Sequence, residues 1–397
     1  MLTLDKVYHA AFTMRDVVRK TDLIHAPNIN PDCEIYLKTE NLQVTGSFKV
    51  RGAFYKMSQL TEEEKNRGVI ACSAGNHAQG VARAASMGNI SAKICLPDNA
   101  PISKVEATKR YGAEVVLVNG AYDDAYRRAL ELQAEEGRTF IHPFDDDDVI
   151  AGQGTIGLEI LDQLPEVDAV IVPIGGGGLI SGVGFVIKAL NPRCKVYGVQ
   201  VAGAPSMYNS IDHQHIEELK NVATFADGIA VKRPGDITFQ MVSQYVDEIV
   251  TVTDDEVASA VLTLIEQQKL IAEGAGAVSV AAAMFNKVDI QDKKVVCLVS
   301  GGNIDVNILS RVITRGLLKS GRIANLTIAL TDKPGQLQGV SEIIAQYGGN
   351  VVSIHHDRGE ENMAINSCFL SISMETRDYA QISQIRTALT NAGFQLV

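Results

Sequence analysis

The chain has 397 residues, 46% hydrophobic and 21% charged, which is room for about two to three domains, each with its own core. Its net charge of −11 argues against a nucleic-acid backbone as the main partner, since phosphate binding needs concentrated Lys and Arg. The N-terminal residues lack the basic-then-apolar pattern of a secretory signal, and no apolar run approaches the ~20 residues of a membrane span. Six scattered cysteines without a C-x-x-C pair fit reduced thiols in a cytoplasmic protein.

In chain order, short apolar runs alternate with longer helical patterns from about residue 34 to 299. Strands are predicted at residues 34–39, 68–72, 92–96, 114–118, 169–173, 195–201 and 295–299. Helices are predicted at 78–87, 103–111, 122–136 and 254–269. Strands that are apolar nearly throughout, such as Val295-Val296-Cys297-Leu298-Val299, mark parallel sheets covered on both faces. Two α/β lobes are expected, with a break near the acidic run Asp145–Asp148, which caps a helix starting around Val149. Four adjacent carboxylates on a loop cannot all face one ion, so no metal site is read there.

Residues 320–325 read as a linker. Beyond it the pattern changes to strand 326–330, helix 336–347, strands 350–356 and 365–374, helix 379–391 and strand 394–397. This βαββαβ order is ferredoxin-like. The expected division is thus an α/β part at 1–320 and a C-terminal module at 325–397. Within the first, a smaller lobe of about 40–145 is inserted in a larger lobe of 1–39 and 146–320.

Four segments carry candidate chemistry. In Thr45-Gly46-Ser47-Phe48-Lys49-Val50-Arg51-Gly52, a lysine opens a helix beside a glycine and an aromatic ring. Lys49 is either a solvated surface charge or a desolvated amine fit for covalent catalysis. In Ser73-Ala74-Gly75-Asn76-His77 a strand turns into a helix, so backbone N–H groups converge where a carboxylate would sit. Asn76 either caps that helix or donates to a phenolic oxygen, and His77 reads as structural rather than as a base.

Gly175-Gly176-Gly177-Gly178-Leu179 follows a strand and opens a helix, which suits a phosphate; tight helix–strand packing is the other reading. A dinucleotide fingerprint is disfavoured, because the next strand carries Gln200 where a ribose-binding acid belongs. No Lys-Ser or Lys-Thr follows the glycines, so a P-loop is excluded. Ser300, before Gly301-Gly302-Asn303, is either a helix cap or a hydroxyl facing a ring nitrogen.

With these elements in this order, the chain resembles the fold-type II (tryptophan synthase β-like) family of pyridoxal phosphate enzymes. Within it, Ser47–Ala53, Ser73–Gly80 and His142-Pro143-Phe144-Asp145 look like the threonine dehydratases, also called threonine ammonia-lyases. The resemblance implies that pyridoxal 5′-phosphate is bonded to Lys49 beside Phe48. It also implies that Asn76 meets the cofactor's O3′, that Gly175, Gly176, Gly177, Gly178 and Leu179 hold its phosphate, and that Ser300 faces its pyridine nitrogen. Ser73, Ala74, Gly75, Asn76 and His77 would bind the substrate carboxylate. The implied reaction is β-elimination from L-threonine to 2-oxobutanoate and ammonia, with L-serine a secondary substrate.

Serine racemase is the rival within the family. Its turn usually reads Ser-Ser-Gly-Asn-His, against Ala74 here, and the segment after Gln200-Val201 offers no carboxylate at Ala202, Ser206 or Tyr208 for a divalent ion. The C-terminal region resembles an ACT domain at Leu330–Leu337 and Gly348–Ile354. That resemblance implies an amino-acid effector held between two copies, with Asp332, Gly335, Leu337 and Asn350 as contacts, in a homo-oligomer (dimer or tetramer). A dimerisation module without ligand, or a non-catalytic amino-acid sensor, are the contrasting readings.

Overall fold

A computed structural model describes residues 2–73, 75–100, 102–358 and 366–397. They divide into two compact units, Met1–Ile308 and Leu309–Val397. The first unit holds two parallel sheets. The larger contains β1 (Leu23–His25), β2 (Glu34–Lys38), β7 (Ala169–Pro173), β8 (Lys195–Val201), β9 (Glu248–Val252) and β10 (Lys294–Leu298), in spatial order β1-β2-β10-β7-β8-β9. Only β1 runs antiparallel. The smaller contains β3 (Val69–Cys72), β4 (Ala92–Pro97), β5 (Glu114–Val118) and β6 (Thr139–Phe140), all parallel, in order β5-β4-β3-β6. In the sequence the smaller sheet falls between β2 and β7.

Every residue of β3, β4 and β7 is buried, as continuous apolar strands between helix layers require. One core lies around β3 and β4 with the helices 49–58 and 76–87; another lies around β7, β8 and β10 with the helix Gly178–Leu190. The helix predicted at 254–269 is α-helical over Asp254–Thr263. It then widens to π geometry at Leu264–Gln268 and stops at Lys269, whose φ is +57°.

The acidic run divides its labour. Asp146 caps the helix Asp147–Gln163, accepting from the Asp148 and Val149 N–H groups. Asp145 instead accepts from the N–H groups of Asp236, Ile237 and Thr238, at a helix (Asp236–Tyr245) that has no cap of its own. Asp148 pairs with Lys6 and Lys56.

The second unit is an antiparallel sheet of β11 (Ile323–Thr331), β12 (Asn350–Asp357), β13 (Ser367–Glu375) and β14 (Gln395–Leu396), in order β12-β13-β11-β14. Alternate residues of β11 and β13 pack on Val340, Ile344, Ile385 and Leu389 of the helices Gln336–Gln346 and Tyr379–Asn391. This is the ferredoxin-like order. The stretch read as a linker is partly strand: β11 begins at Ile323, where it pairs with Glu375. Among the described residues, no helix is long and apolar enough to cross a membrane. All six cysteines are free thiols, and all but Cys33 are buried.

Candidate active site

Lys49 is the first residue of the helix Lys49–Ser58, and that helix is held tightly. Cα of Gly52 lies so near Gly152 of the helix Asp147–Gln163 that a Cβ on either glycine would strike the other helix. The Arg51 side chain is wholly buried and spends its donors on Glu40 and Glu159. Lys38 joins the same cluster through Glu159 at 2.7 Å. Burial alone would lower the Arg51 pKa, but Glu40 and Glu159 outweigh it and hold the guanidinium charged. Arg51 thus anchors the helix that presents Lys49.

The Lys49 ammonium nitrogen donates to the Pro143 carbonyl at 2.7 Å and stands 5.2 Å from the centroid of the Phe48 ring. Burial lowers its pKa to about 8, with Glu273 opposing. The next residue, Phe144, packs its ring against Gly176 and its backbone against Gly178, so a Cβ at either glycine would collide with it. The lysine and the tetraglycine are therefore joined through Pro143-Phe144. Gly177 has φ +100°, a left-handed conformation suited to glycine. No side chain caps the helix that follows it, whose first N–H groups are left for another acceptor. Ser181 in its first turn is buried with its hydroxyl unpartnered.

The helix Asn76–Met87 starts without a side-chain cap as well, and a Cβ added to Gly75 would meet open space. Ser73 Oγ accepts from the Gly75 N–H at 3.1 Å. Ala74 lies outside the described residues. The His77 ring is buried and tied to the Ile141 carbonyl at 2.8 Å, and burial, then the Lys49 charge, lowers its pKa to about 3. It is a neutral structural ring, which leaves its backbone N–H in the first turn as the part that could meet a ligand.

Asn76 Nδ2 donates to Glu273 Oε1 at 2.5 Å, and its Oδ1 accepts from Asn303 Nδ2 at 2.8 Å. Its amide is thus fixed, with a second N–H hydrogen still to give. Ser300 closes the ring of elements. Its carbonyl accepts from the Phe48 N–H, its hydroxyl reaches the Ala275 carbonyl at 3.3 Å, and Gly301 bridges to Ser47.

Glu273 is the site residue that the sequence reading missed. It is 4% exposed, and a side chain at Gly301 would collide with it. Burial, reinforced by Asp227, raises its carboxyl pKa to about 7. The only local signal was the small-residue run Gly274-Ala275-Gly276-Ala277 after it, a close-packed helix start.

The donor set fits a flat, phosphorylated aldehyde. One buried amine of lowered pKa, two uncapped helix starts, a four-glycine turn and a fixed amide converge, and open space lies at Gly75. The C-terminal candidates do not all converge. Asp332, Gly335 and Leu337 follow β11 and open the helix Gln336–Gln346. Asn350 starts β12 and pairs with Glu375 at the end of β13, so within one chain it lies at the opposite end of the sheet.

The family described as pyridoxal-phosphate dependent enzyme matches residues 14–301. The chain is 48% identical to an L-threonine ammonia-lyase of Thermotoga maritima over 100% of its own length and 99% of that protein. It is 46% identical to a catabolic L-threonine dehydratase of Escherichia coli strain K12, where 78% of this chain covers 96% of that one. Its fold is similar to that of maize serine racemase, with a TM-score of 0.75 and 34% identity over 80% of this chain and 98% of that one. The chain therefore belongs to the pyridoxal-phosphate dependent enzymes.

Proposed function

We propose that this chain is an L-threonine ammonia-lyase, converting L-threonine to 2-oxobutanoate and ammonia, with L-serine a slower substrate. The observation that carries the reading is end-to-end similarity to the Thermotoga maritima enzyme of that activity, in a chain whose lysine, glycine turns and amide form one site. Bound pyridoxal phosphate supplies the electron sink that lets the substrate's Cα proton leave. Lys49 would hold the cofactor and serve as the base for that proton; a pKa near 8 suits an amine that must be neutral to act. The uncapped start of the helix Gly178–Leu190, with Gly175, Gly176, Gly177 and Leu179, binds the phosphate. Asn76 would orient the cofactor from one edge, and Ser300 would lie toward its ring nitrogen. A serine there leaves that nitrogen neutral, which favours loss of the β-hydroxyl over racemisation. The backbone of Ser73, Gly75, Asn76 and His77 holds the substrate carboxylate.

Racemisation would need a second acid–base group on the face opposite Lys49, and residue 74 is alanine where racemases usually carry serine. In place of a carboxylate near 202–208, Gln200 Oε1 accepts from the Tyr208 N–H. The C-terminal unit is read as an ACT-like module that binds a small amino acid between two copies of the chain. Asp332, Gly335 and Leu337 would come from one copy and Asn350 from the other, an arrangement supported by their lying at opposite ends of the sheet within one chain.

Purified enzyme supplied with pyridoxal phosphate and L-threonine or L-serine, assayed for keto acid and for D-serine, tests the reading. 2-Oxobutanoate should form faster than pyruvate. D-serine formation exceeding keto-acid release would replace the lyase with a racemase.

A further inference from the structure

Alternate residues of β11 (Leu326, Ile328, Leu330) and of β13 (Leu370, Ile372, Met374) face the helices of the second unit. Cys368 belongs to the β13 series and stands opposite Leu330, so it shares that face. Asp332 continues the β11 series just past the strand's end. On the far side of β13, His356 of β12 stands opposite Leu370, which puts it on the same face. Three adjacent strands thus deliver an acid, an imidazole and a thiol to one end of the sheet. Their donor atoms lie within 4.8 Å of one another.

We propose that Asp332, His356 and Cys368 form a divalent metal site for zinc or a similarly thiophilic ion. A tetrahedral zinc with ordinary N, O and S bond lengths sets its ligands ~3.4–3.8 Å apart, so modest side-chain rotation closes the set. Thiolate and imidazole select zinc over magnesium or calcium, and three protein ligands leave one position for water or an exogenous donor. Arg358 donates to Asp332 Oδ1 at 3.1 Å, the kind of outer hydrogen bond that orients a ligating carboxylate. Its positive charge opposes the ion, which sets the expected affinity below that of all-cysteine structural sites. The ion would pin the ends of three strands next to the turn Asp332–Gly335. The sequence reading passed over the set because its members come from three separate strands. The proposal does not depend on the lyase activity.

The test uses the full-length, cofactor-loaded enzyme, stripped of metal and titrated with Co²⁺ and then Zn²⁺. Expected are one Co²⁺ per chain, intense tetrahedral d–d bands, a thiolate-to-cobalt charge-transfer band in the difference spectrum, and displacement by Zn²⁺. Cys368→Ser should abolish the charge-transfer band, and His356→Gln, at an exposed position, should weaken Zn²⁺ binding by at least ~10-fold. Circular dichroism checks that each variant is folded. The proposal is overturned if the wild type takes up no ion, or if binding persists unchanged in both variants. In the first case the three side chains are only neighbours; in the second the ion sits elsewhere, for example on the cofactor phosphate.

Discussion

Lys49 and Glu273 are two groups of the site that desolvation shifts in opposite senses. Burial favours the neutral amine of one and the neutral carboxyl of the other. Lys49→Ala should remove keto-acid release while leaving the circular dichroism spectrum unchanged; substantial remaining turnover would take the lysine out of the reaction. Glu273 makes a different prediction. Its pKa of about 7 lies above the unfolded value, so between about pH 4.5 and 7 the folded chain holds a proton that the unfolded chain has lost. Stability therefore falls as pH rises through that window. Glu273→Gln should gain on the wild type, on the order of 1–3 kcal/mol in urea unfolding of cofactor-free protein at pH 8, and show little gain at pH 5. Equal gains at both values would mean that the carboxyl is not desolvated. Lys49, the asparagine turn and the four glycines were legible in the sequence because each carries its geometry in adjacent residues. Glu273 was not, since its meaning depends on Asn76, 197 positions away, and on the crowding at Gly301.

Among elements, the helix that presents Lys49 owes its position to a buried ion cluster more than to its own sequence. Arg51, Glu40 and Lys38 are fully buried, and Glu159 joins them from the helix Asp147–Gln163. Arg51→Ala would leave Glu40 buried without its partner and should destabilise the protein by ~3–5 kcal/mol, read from the urea midpoint. A loss under ~1 kcal/mol would show that the cluster is hydrated and does not hold the helix. Apolar strands such as β7 and β10 could be placed from composition, because their burial on both faces leaves a nearly unbroken run. The short strands β1 and β6 could not, as three or two residues give no periodicity. Nor was β9 found, an edge strand only half-buried along most of its length. The start of β11 was hidden behind Ser320-Gly321, a turn signal that pairing with β13 overrides within two residues. Asp145 shows the same limit: a helix cap was expected, but the helix it caps begins at Asp236.

For the whole molecule, the question is how far catalysis in the first unit needs the second. In the Escherichia coli catabolic L-threonine dehydratase, 96% of the protein is covered by 78% of this chain. Strand pairing decides the place to cut. β11 begins at Ile323 and is bonded on one side to β13 and on the other to β14. A truncation at residue 325 would therefore leave three strand residues with no sheet, whereas one after Ser320 removes the strand whole and keeps the helix Val306–Lys319. The shortened enzyme should release 2-oxobutanoate from threonine at a rate close to that of the full chain. Any change in rate caused by isoleucine or valine in the full chain should vanish. Retained sensitivity to either amino acid would move the effector site into residues 1–320. Loss of turnover with pyridoxal phosphate still bound would instead make the C-terminal unit part of the catalytic assembly, and the two outcomes are separated by recording cofactor absorbance beside keto-acid release.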